Sequence, residues 1–380
     1  MLIAPITLRT TFLLPFNTLA RKGGIRSLRI STSASAYACD NSTAHFSHSR
    51  TVNVSRGICH SNVSVYNNSN EPCRRFSTFQ PPPNNEYHGT PVYADVDIAK
   101  QTISQAATAR NKDPEAVFVI TGASRSMGLQ FVNELLSRTK GRIVACVLRP
   151  GSSPALDSFL NGLERETRGR VDVYGLDVTD PEQIEQLSKD LAENYGRVDG
   201  LFNVAGVLGD KTTTPGPEMN LYQIDHTWFQ HQLAVNAVGP IMLTKTLAPL
   251  LKARKGKNKY LRTTGAQESV VVNLSARVAS MSDNTGGLAW YTYRISKAAL
   301  NQGVRTSSHE LKRQGTWTLS LYPGMTDTDM SKPFQSKGLQ EKGLIFPVEF
   351  TVGRLMDVVD AMEEEHSGGM FDWAGQAIPF

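Results

Sequence analysis

The feature that most constrains the fold is a regular alternation of apolar, β-branched runs with helix-like stretches from Glu115 onward. The runs are nearly continuous in apolar residues, which is typical of a parallel sheet covered by helices on both faces. They span 116–122, 141–149, 170–178, 198–206, 269–275 and 317–324. The sequence therefore predicts an α/β fold with a doubly wound parallel sheet. Its ligand crevice should lie beyond the carboxyl ends of the strands.

The first 76 residues differ in composition from the rest of the chain. They carry nine Arg and Lys against two acids, a net charge of +7, which leaves −2 of the total +5 for residues 77–380. The segment is rich in Ser, Asn and Arg and has no apolar run long enough to span a bilayer, which is typical of an organellar transit peptide. Arg74, Phe76 and Ser77 resemble a mitochondrial processing site. We expect a mitochondrial protein; a plastid leader, or a tail retained in the cytoplasm, is the alternative.

The remaining chain is expected to be one folded domain, residues 115–380, preceded by a Pro-rich linker or N-terminal extension over 77–114. Its slightly acidic balance gives no reason to expect a nucleic-acid partner. Cys146 is the only cysteine after residue 76, so no internal disulfide forms there. His226 and His231 are five apart, which suits no single helix face, and no other group has metal-ligand spacing. We expect no metal site.

A glycine-rich turn, "TGASRSMG", follows the first predicted strand. Such a turn before a helix lets the backbone approach a pyrophosphate, which lies against free amides and the positive end of the helix dipole. The turn resembles the T-G-x-x-x-G-x-G of the classical short-chain dehydrogenase/reductase superfamily, which implies a Rossmann fold. Ser126 stands where that family has its middle glycine, and its Cβ is expected to alter cofactor binding. The predicted cofactor contacts in the turn are Gly122, Ser124, Arg125, Ser126, Met127 and Gly128.

The other motifs of that family occur in the expected order. "NVAG" resembles its N-N-A-G, "VNAVGP" places Asn236 at its catalytic Asn, and "YPGMTDT" resembles its P-G-x-V-x-T. The resemblance covers about residues 116–380 and, through "NLSARVAS" and "FDWAGQAIPF", points to C-factor-like and sniffer-like carbonyl reductases. It also implies a homo-oligomer, a dimer or a tetramer. The further cofactor contacts that it implies are Asp177, Val178, Asn203, Ala205, Gly206, Pro323, Gly324, Thr326 and Thr328.

Tyr293 and Lys297 in "YTYRISK" are four residues apart, so they share one face of a helix. The resemblance implies that both contact the cofactor and that Tyr293 gives a proton to a developing alkoxide while hydride passes to a carbonyl carbon. The Lys297 ammonium is expected to lower the pKa of Tyr293, and Asn236 to hold a water. The predicted function is an NAD(P)H-dependent oxidoreductase acting on a small carbonyl or alcohol substrate. The alternative is a non-catalytic NAD(P)-binding sensor or scaffold.

The catalytic serine is the assignment for which the resemblance leaves alternatives. The family has N-x-S-S after its fifth strand, whereas this chain has Asn273-Leu274-Ser275-Ala276, with alanine in the second serine position. Ser275 is the preferred candidate if the strand is irregular at its end, because one residue changes the face of a strand. Ser280, thirteen residues before Tyr293, is the next candidate. The third alternative is that no serine fills the role.

Charge near the second predicted strand bears on the choice of cofactor. An acidic residue there would bind the ribose hydroxyls of NAD, whereas arginine accommodates the 2′-phosphate of NADP. The chain has Arg149 at that strand end and Arg125 inside the turn, which favours NADP over NAD. Residues 281–290 are predicted to form a loop before the helix of Tyr293, and residues 327–346 a mobile flap over the substrate. Both segments are expected to set specificity.

Overall fold

We describe the protein from a computed structural model, in which residues 103–209, 214–253, 266–284 and 286–380 are described. The predicted transit peptide, most of the predicted linker and most of the basic loop after residue 251 lie outside these residues. The described part of the chain includes all six predicted strands and every predicted site residue.

In the described part of the chain, seven parallel strands form one sheet at the centre of the domain. They are β1 (Val117–Thr121), β2 (Arg142–Val147), β3 (Val171–Gly175), β4 (Gly200–Asn203), β5 (Ser269–Leu274), β6 (Thr316–Tyr322) and β9 (Met370–Asp372), and a separate parallel pair is β7 (Met325–Thr326) with β8 (Ile345–Phe346). The order in the sheet is β3–β2–β1–β4–β5–β6–β9. The chain order reverses between β1 and β4, and at such a point the loops that leave the two strands diverge and open a crevice. The predicted doubly wound fold is confirmed.

Helices cover both faces of the sheet. A π-helical turn, Ala234–Val238, joins the sixth helix to the seventh. The helices are α1 (Gln105–Lys112), α2 (Ser126–Arg138), α3 (Pro154–Asn161), α4 (Arg165–Arg168), α5 (Pro181–Asn194), α6 (His226–Leu233), α7 (Gly239–Leu251), α8 (Tyr291–Leu311), α9 (Lys337–Glu341) and α10 (Val348–Ala361).

Strand β1 shows why the apolar runs are continuous. Successive side chains of a strand point to opposite faces. Phe118 and Ile120 belong to the core beneath α2 and α10, whereas Val117 and Val119 belong to the core beneath α5 and α7. All five residues of β1 are buried. A strand in this position must therefore be apolar on both faces, as the sequence predicts.

One helical segment of the described chain, His226–Leu251, is long and apolar enough to pass a length-and-composition test for a membrane span, with a mean hydropathy of 1.3. Leu243, Leu247 and Leu251 are fully buried in the core on one side of the sheet. A core helix of an α/β domain needs this composition, so the segment gives no clear sign of a membrane span.

Helix α1 lies before the domain start expected from sequence, and strands β7, β8 and β9 lie outside the six predicted strands. Helix α1 falls within the predicted extension, and its preceding residue Ser104 donates a backbone hydrogen bond to the Asp360 carbonyl at 2.8 Å. Arg110 approaches the same residue's carboxylate at 3.8 Å, with both side chains buried. Strand β9 pairs in parallel with β6. It has only three residues and no β-branched side chain, so it lacks the composition by which the longer strands are found.

Candidate active site

The glycine turn after β1 is shaped by two close backbone contacts. Gly122 has φ of +68°, and a Cβ there would lie 3.0 Å from the Ala205 Cα. A Cβ on Gly128 would lie 2.0 Å from the Gly122 carbonyl oxygen. Neither position accepts a side chain without moving backbone, so the turn, the start of α2 and the loop that contains Ala205 pack this closely only with glycine in both positions. Both glycines also line the crevice, where a pyrophosphate would lie against the first turn of the helix.

Ser126 takes the left-handed conformation that a glycine would adopt without cost. Its φ is +51°, and it is one of two described non-glycine residues with positive φ. For an L-residue other than glycine this conformation costs about 1–2 kcal/mol. The departure from the family pattern therefore keeps the glycine geometry of the turn at the expense of local strain.

Thr121 ties the first strand to the fourth at the carboxyl edge of the sheet. Its Oγ1 accepts hydrogen bonds from the amides of Val204 at 3.0 Å and Ala205 at 3.1 Å. Ala205 is the residue against which Gly122 packs. Thr121 therefore positions the two loops that flank the crevice. The sequence shows it only as the first letter of the glycine motif, without this role.

The crevice holds a cavity of about 360 Å³ that runs from the glycine turn along the ends of β2, β3 and β4. It includes all six predicted contacts of the turn, together with Asp177, Val178, Ala205, Gly206 and Thr328. Among the described residues, no three His, Cys, Asp or Glu side chains are grouped so that they could hold a metal.

Three predicted cofactor residues differ from one another in their surroundings. Asn203 is buried and donates to the Asn273 side chain at 2.9 Å, so it links β4 to β5 and does not line the cavity. Arg149 is exposed and also lies outside the lining. Arg125 does line the cavity, and its guanidinium lies 3.4 Å from the Asp329 carboxylate, with both side chains largely exposed, at 71% and 65%.

A second cavity, of about 210 Å³, adjoins the first and shares Met127, Gly206 and Thr328 with it. Tyr293 and Lys297 line this second cavity. So do Pro323, Gly324 and Thr326 of the motif that follows β6. The structure thus brings the predicted helix pair and the predicted nicotinamide motif to one space beside the dinucleotide groove.

Lys297 is held in a buried position at the floor of this cavity. Only 5% of it is exposed, and its Nζ donates to the Leu274 carbonyl at 2.8 Å. Burial lowers the pKa of the Lys297 ammonium to about 8. A Cβ on Gly206 would lie 3.4 Å from this Nζ, so the glycine of "NVAG" leaves room for it.

Tyr293 is also desolvated, and its pKa therefore differs from the one expected from sequence. Burial is the main cause that raises the pKa of its phenol well above the ordinary value, and the nearby Tyr322 raises it further. The expected lowering by Lys297 is not found. Burial is the main cause of both shifts, and neither group contributes to the pKa shift of the other. At neutral pH the phenol keeps its proton.

Asn236 lies in the π-helical turn between α6 and α7 and is fully buried. Its Oδ1 accepts from the Val207 amide, and its Nδ2 donates to the Val207 carbonyl, both at 2.8 Å. The same Nδ2 lies 3.1 Å from the Ser296 Oγ on α8. The side chain therefore fixes the loop after β4 against the catalytic helix. Both polar atoms of the Asn236 side chain thus have protein partners. The water expected on this residue would have to bind a different polar atom of it.

The structure separates the two serine candidates. Ser275 lines the second cavity, but it is 4% exposed and its Oγ donates to the Asn301 Oδ1 at 2.8 Å. Ser280 donates to the Pro379 carbonyl and lines neither cavity. Ala276, in the second serine position of the motif, does line the cavity. No serine hydroxyl in these three positions is left over for a substrate.

Aromatic side chains form one wall of the second cavity. Trp290, which precedes α8 with φ of +42°, meets Phe334 at a centroid distance of 5.2 Å and Tyr293 at 6.2 Å. Phe334 and Met330 belong to the segment predicted as a flap, and both line the cavity. The convergence of these rings joins segments far apart in sequence, so no local pattern could have predicted it.

A dinucleotide groove at the switch point, with a Tyr and a Lys from one helix beside it, defines a nicotinamide-dependent oxidoreductase of the Rossmann type. The family model described as short chain dehydrogenase matches residues 116–338, and the chain belongs to that family.

Named relatives agree with this. The chain is 28% identical to 1-hydroxy-2-glutathionyl-2-methyl-3-butene dehydrogenase of Rhodococcus sp. (strain AD45), over 67% of this chain and 97% of that one. It is 33% identical to the C-signal protein of Myxococcus xanthus, over 49% and 94% respectively. A carbonyl reductase from chicken fatty liver shares the fold, with a TM-score of 0.58 at 23% identity, over 70% and 99%. The protein is an NAD(P)H-dependent oxidoreductase, and a non-catalytic binding role is not favoured.

Proposed function

We propose that this protein uses NADPH to reduce the carbonyl group of an apolar organic molecule to an alcohol. The observation that carries the proposal is the placement of Tyr293 and Lys297 in a cavity that adjoins the dinucleotide groove. A carbonyl compound in that cavity would lie beside the nicotinamide end of a cofactor in the groove.

The groove fits a dinucleotide because the glycine turn with Gly122 and Gly128 lines it at the start of α2. When bound, the nicotinamide supplies the hydride. Tyr293 supplies the proton, since it lines the cavity and its phenol is protonated at neutral pH. Lys297, fixed by the Leu274 carbonyl, places a cation beside the site where negative charge develops on the substrate oxygen. These assignments follow the family motif and the positions of the two side chains.

The preference for NADPH rests on Arg125. Its guanidinium lines the groove at the glycine turn, where it can meet the 2′-phosphate. Its partner Asp329 is exposed, so the pair is weak and can be exchanged for a phosphate. The carbonyl reductase from chicken fatty liver has NADPH bound in its crystal structure. Arg149 remains a second candidate, at the exposed edge beside the cavity.

The substrate is proposed to be apolar because the second cavity is lined by the apolar side chains of Leu288, Trp290, Met330 and Phe334. Apart from Lys297, the cation that reaches this lining is Arg277, and its guanidinium already pairs with Asp283 at 2.6 Å. An anionic substrate would lose hydration here and would have to displace Asp283 to gain a partner at Arg277.

The test combines binding with turnover on the full chain. Nicotinamide fluorescence is titrated with NADPH and with NADH for the wild type, Arg125→Ala and Arg149→Ala. Consumption of NADPH is then followed with a panel of aromatic and aliphatic ketones and aldehydes. We expect Tyr293→Phe to bind NADPH like the wild type and to lose turnover by at least about a hundredfold.

The matched control is Tyr291→Phe. Tyr291 is an exposed tyrosine on the same helix, and it lines neither cavity. It should keep wild-type turnover. Equal binding of NADPH and NADH, with no effect of either arginine variant, would contradict the NADPH preference. A wild-type protein that reduces no carbonyl compound on the panel would contradict the proposed reductase activity.

A further inference from the structure

The cavity beside Tyr293 lacks the hydroxyl that the family motif leads one to expect. Ala276 has no polar side-chain atom, and the Ser275 Oγ is already bonded to Asn301. An oxyanion that develops on a substrate is stabilised best by two positioned donors. The site must therefore draw its second donor from another residue, or work with Tyr293 alone.

Tyr322 is placed to supply it. It is the last residue of β6, and the residue before it, Leu321, accepts a hydrogen bond from the Ser275 amide at 2.8 Å. The end of β6 thus lies directly beside the end of β5, where the serine motif stands. Tyr322, Tyr293 and Ala276 all line the cavity of about 210 Å³.

The Tyr322 hydroxyl has no hydrogen-bond partner within the part of the chain that the structure describes, and neither has the Tyr293 hydroxyl. The two phenols are close enough to affect one another electrostatically, because Tyr322 contributes to the raised pKa of Tyr293. Burial also raises the pKa of Tyr322, although the neighbouring Arg277 acts in the opposite direction. At neutral pH both phenols carry their protons and both can donate.

We propose that Tyr322 is a catalytic residue that donates a hydrogen bond to the substrate carbonyl oxygen, in the role that the family gives to serine. This inference rests on the proposed carbonyl reduction. The carbonyl carbon gains the hydride, the C=O π bond becomes a lone pair on oxygen, and that oxygen takes the Tyr293 proton. Tyr322 keeps its own proton throughout and lowers the energy of the oxyanion by its hydrogen bond alone.

The test compares Tyr322→Phe with the control Tyr291→Phe on the best ketone of the panel. Loss of one oxyanion donor typically costs about a hundred- to a thousandfold in rate. We expect a loss of kcat/KM in that range for Tyr322→Phe, an unchanged Kd for NADPH, and no loss for Tyr291→Phe. The double variant Tyr322→Phe/Ala276→Ser should recover at least about tenfold of the lost rate, since it restores a hydroxyl at the family position. A packing defect at Tyr322 would not be repaired in this way.

A second readout does not depend on turnover. In the complex of enzyme, NADP⁺ and the ketone, a donor to the carbonyl oxygen lowers the C=O stretching frequency, and Tyr322→Phe should raise it back toward the value in apolar solvent. A Tyr322→Phe enzyme with wild-type kcat/KM and an unshifted carbonyl band overturns the inference. So does Ser275→Ala, if its loss equals or exceeds that of Tyr322→Phe. A wild type without reductase activity overturns the proposed function and this inference together, whereas an active wild type whose kcat/KM is unchanged by Tyr322→Phe overturns this inference alone.

Discussion

The buried charge of Lys297 lowers the unfolding free energy, so we expect Lys297→Met to be more stable than the wild type. Burial lowers the lysine pKa from 10.5 to about 8. Each pKa unit corresponds to about 1.4 kcal/mol, so keeping the ammonium charged in this site costs about 3 kcal/mol at pH 7. Methionine has similar length and carries no charge. It leaves the Leu274 carbonyl without its donor, which costs about 1 kcal/mol. The net gain in unfolding free energy should be about 2 kcal/mol.

The sign of the pH dependence provides the sharper check. The folded pKa lies below the unfolded one, so the unfolded chain binds more protons between pH 8 and 10.5, and wild-type stability rises with pH in that window. The penalty is complete below pH 8 and falls to about 1 kcal/mol at pH 9.5. The advantage of Lys297→Met should therefore shrink from about 2 kcal/mol at pH 7 to near zero at pH 9.5.

The assay is urea unfolding followed by circular dichroism at both pH values. The control is Lys189→Met, which removes a lysine from the solvent-facing side of α5 and should leave the unfolding free energy within about 0.5 kcal/mol. The reasoning is refuted if Lys297→Met is no more stable than the wild type at pH 7, or if its gain persists undiminished at pH 9.5. The same variant should lose reductase turnover, because the cation beside the substrate oxygen is gone.

Three further predictions concern residues around the two cavities. Ser126→Val should be about 1–2 kcal/mol less stable than Ser126→Gly in urea, because a β-branched residue fits the left-handed region poorly; equal stabilities would show that the turn does not keep φ of +51°. Glu218→Ala should lower the unfolding free energy by about 2–3 kcal/mol, since the buried Glu218 carboxylate accepts from both the amide and the hydroxyl of Thr292 in the first turn of α8; a loss below about 0.5 kcal/mol in the same titration would contradict this. Asp329→Asn should tighten NADPH binding several-fold in the fluorescence titration by freeing Arg125, with the gain fading at high salt; an unchanged Kd would mean that the pair does not compete with the cofactor.

The sequence predicted those features that depend on local order along the chain. Six strands followed from predominantly apolar runs, because a strand that is covered on both faces has few positions exposed to solvent. Tyr293 and Lys297 followed from helical spacing, since residues four apart share a face wherever the helix lies. The left-handed serine was foreseeable for the same reason, as the turn determines its torsions locally.

The features that were missed depend on contacts between distant segments. The bond from Ser275 to Asn301 is set by how β5 meets α8, and it turns the hydroxyl away from the role that the motif suggests. The raised Tyr293 pKa depends on how completely the surrounding segments exclude water. Tyr322 reaches the site only because β6 lies beside β5. None of these has a signature in a short window of sequence.

The attachment of α1 to α10 limits how far the chain can be shortened from its amino-terminal side. Arg110 and Asp360 are both buried, and Asp360 also pairs with Arg138 of α2 at 3.2 Å. A protease or an expression boundary that cuts before Ile103 leaves this arrangement whole. A cut after Arg110 strips one cation from the buried carboxylate and uncovers the apolar surface beneath α1. A domain that starts at residue 115, as the strand pattern predicts, would lack helix α1. We therefore expect the shortest intact protein to begin about a dozen residues earlier.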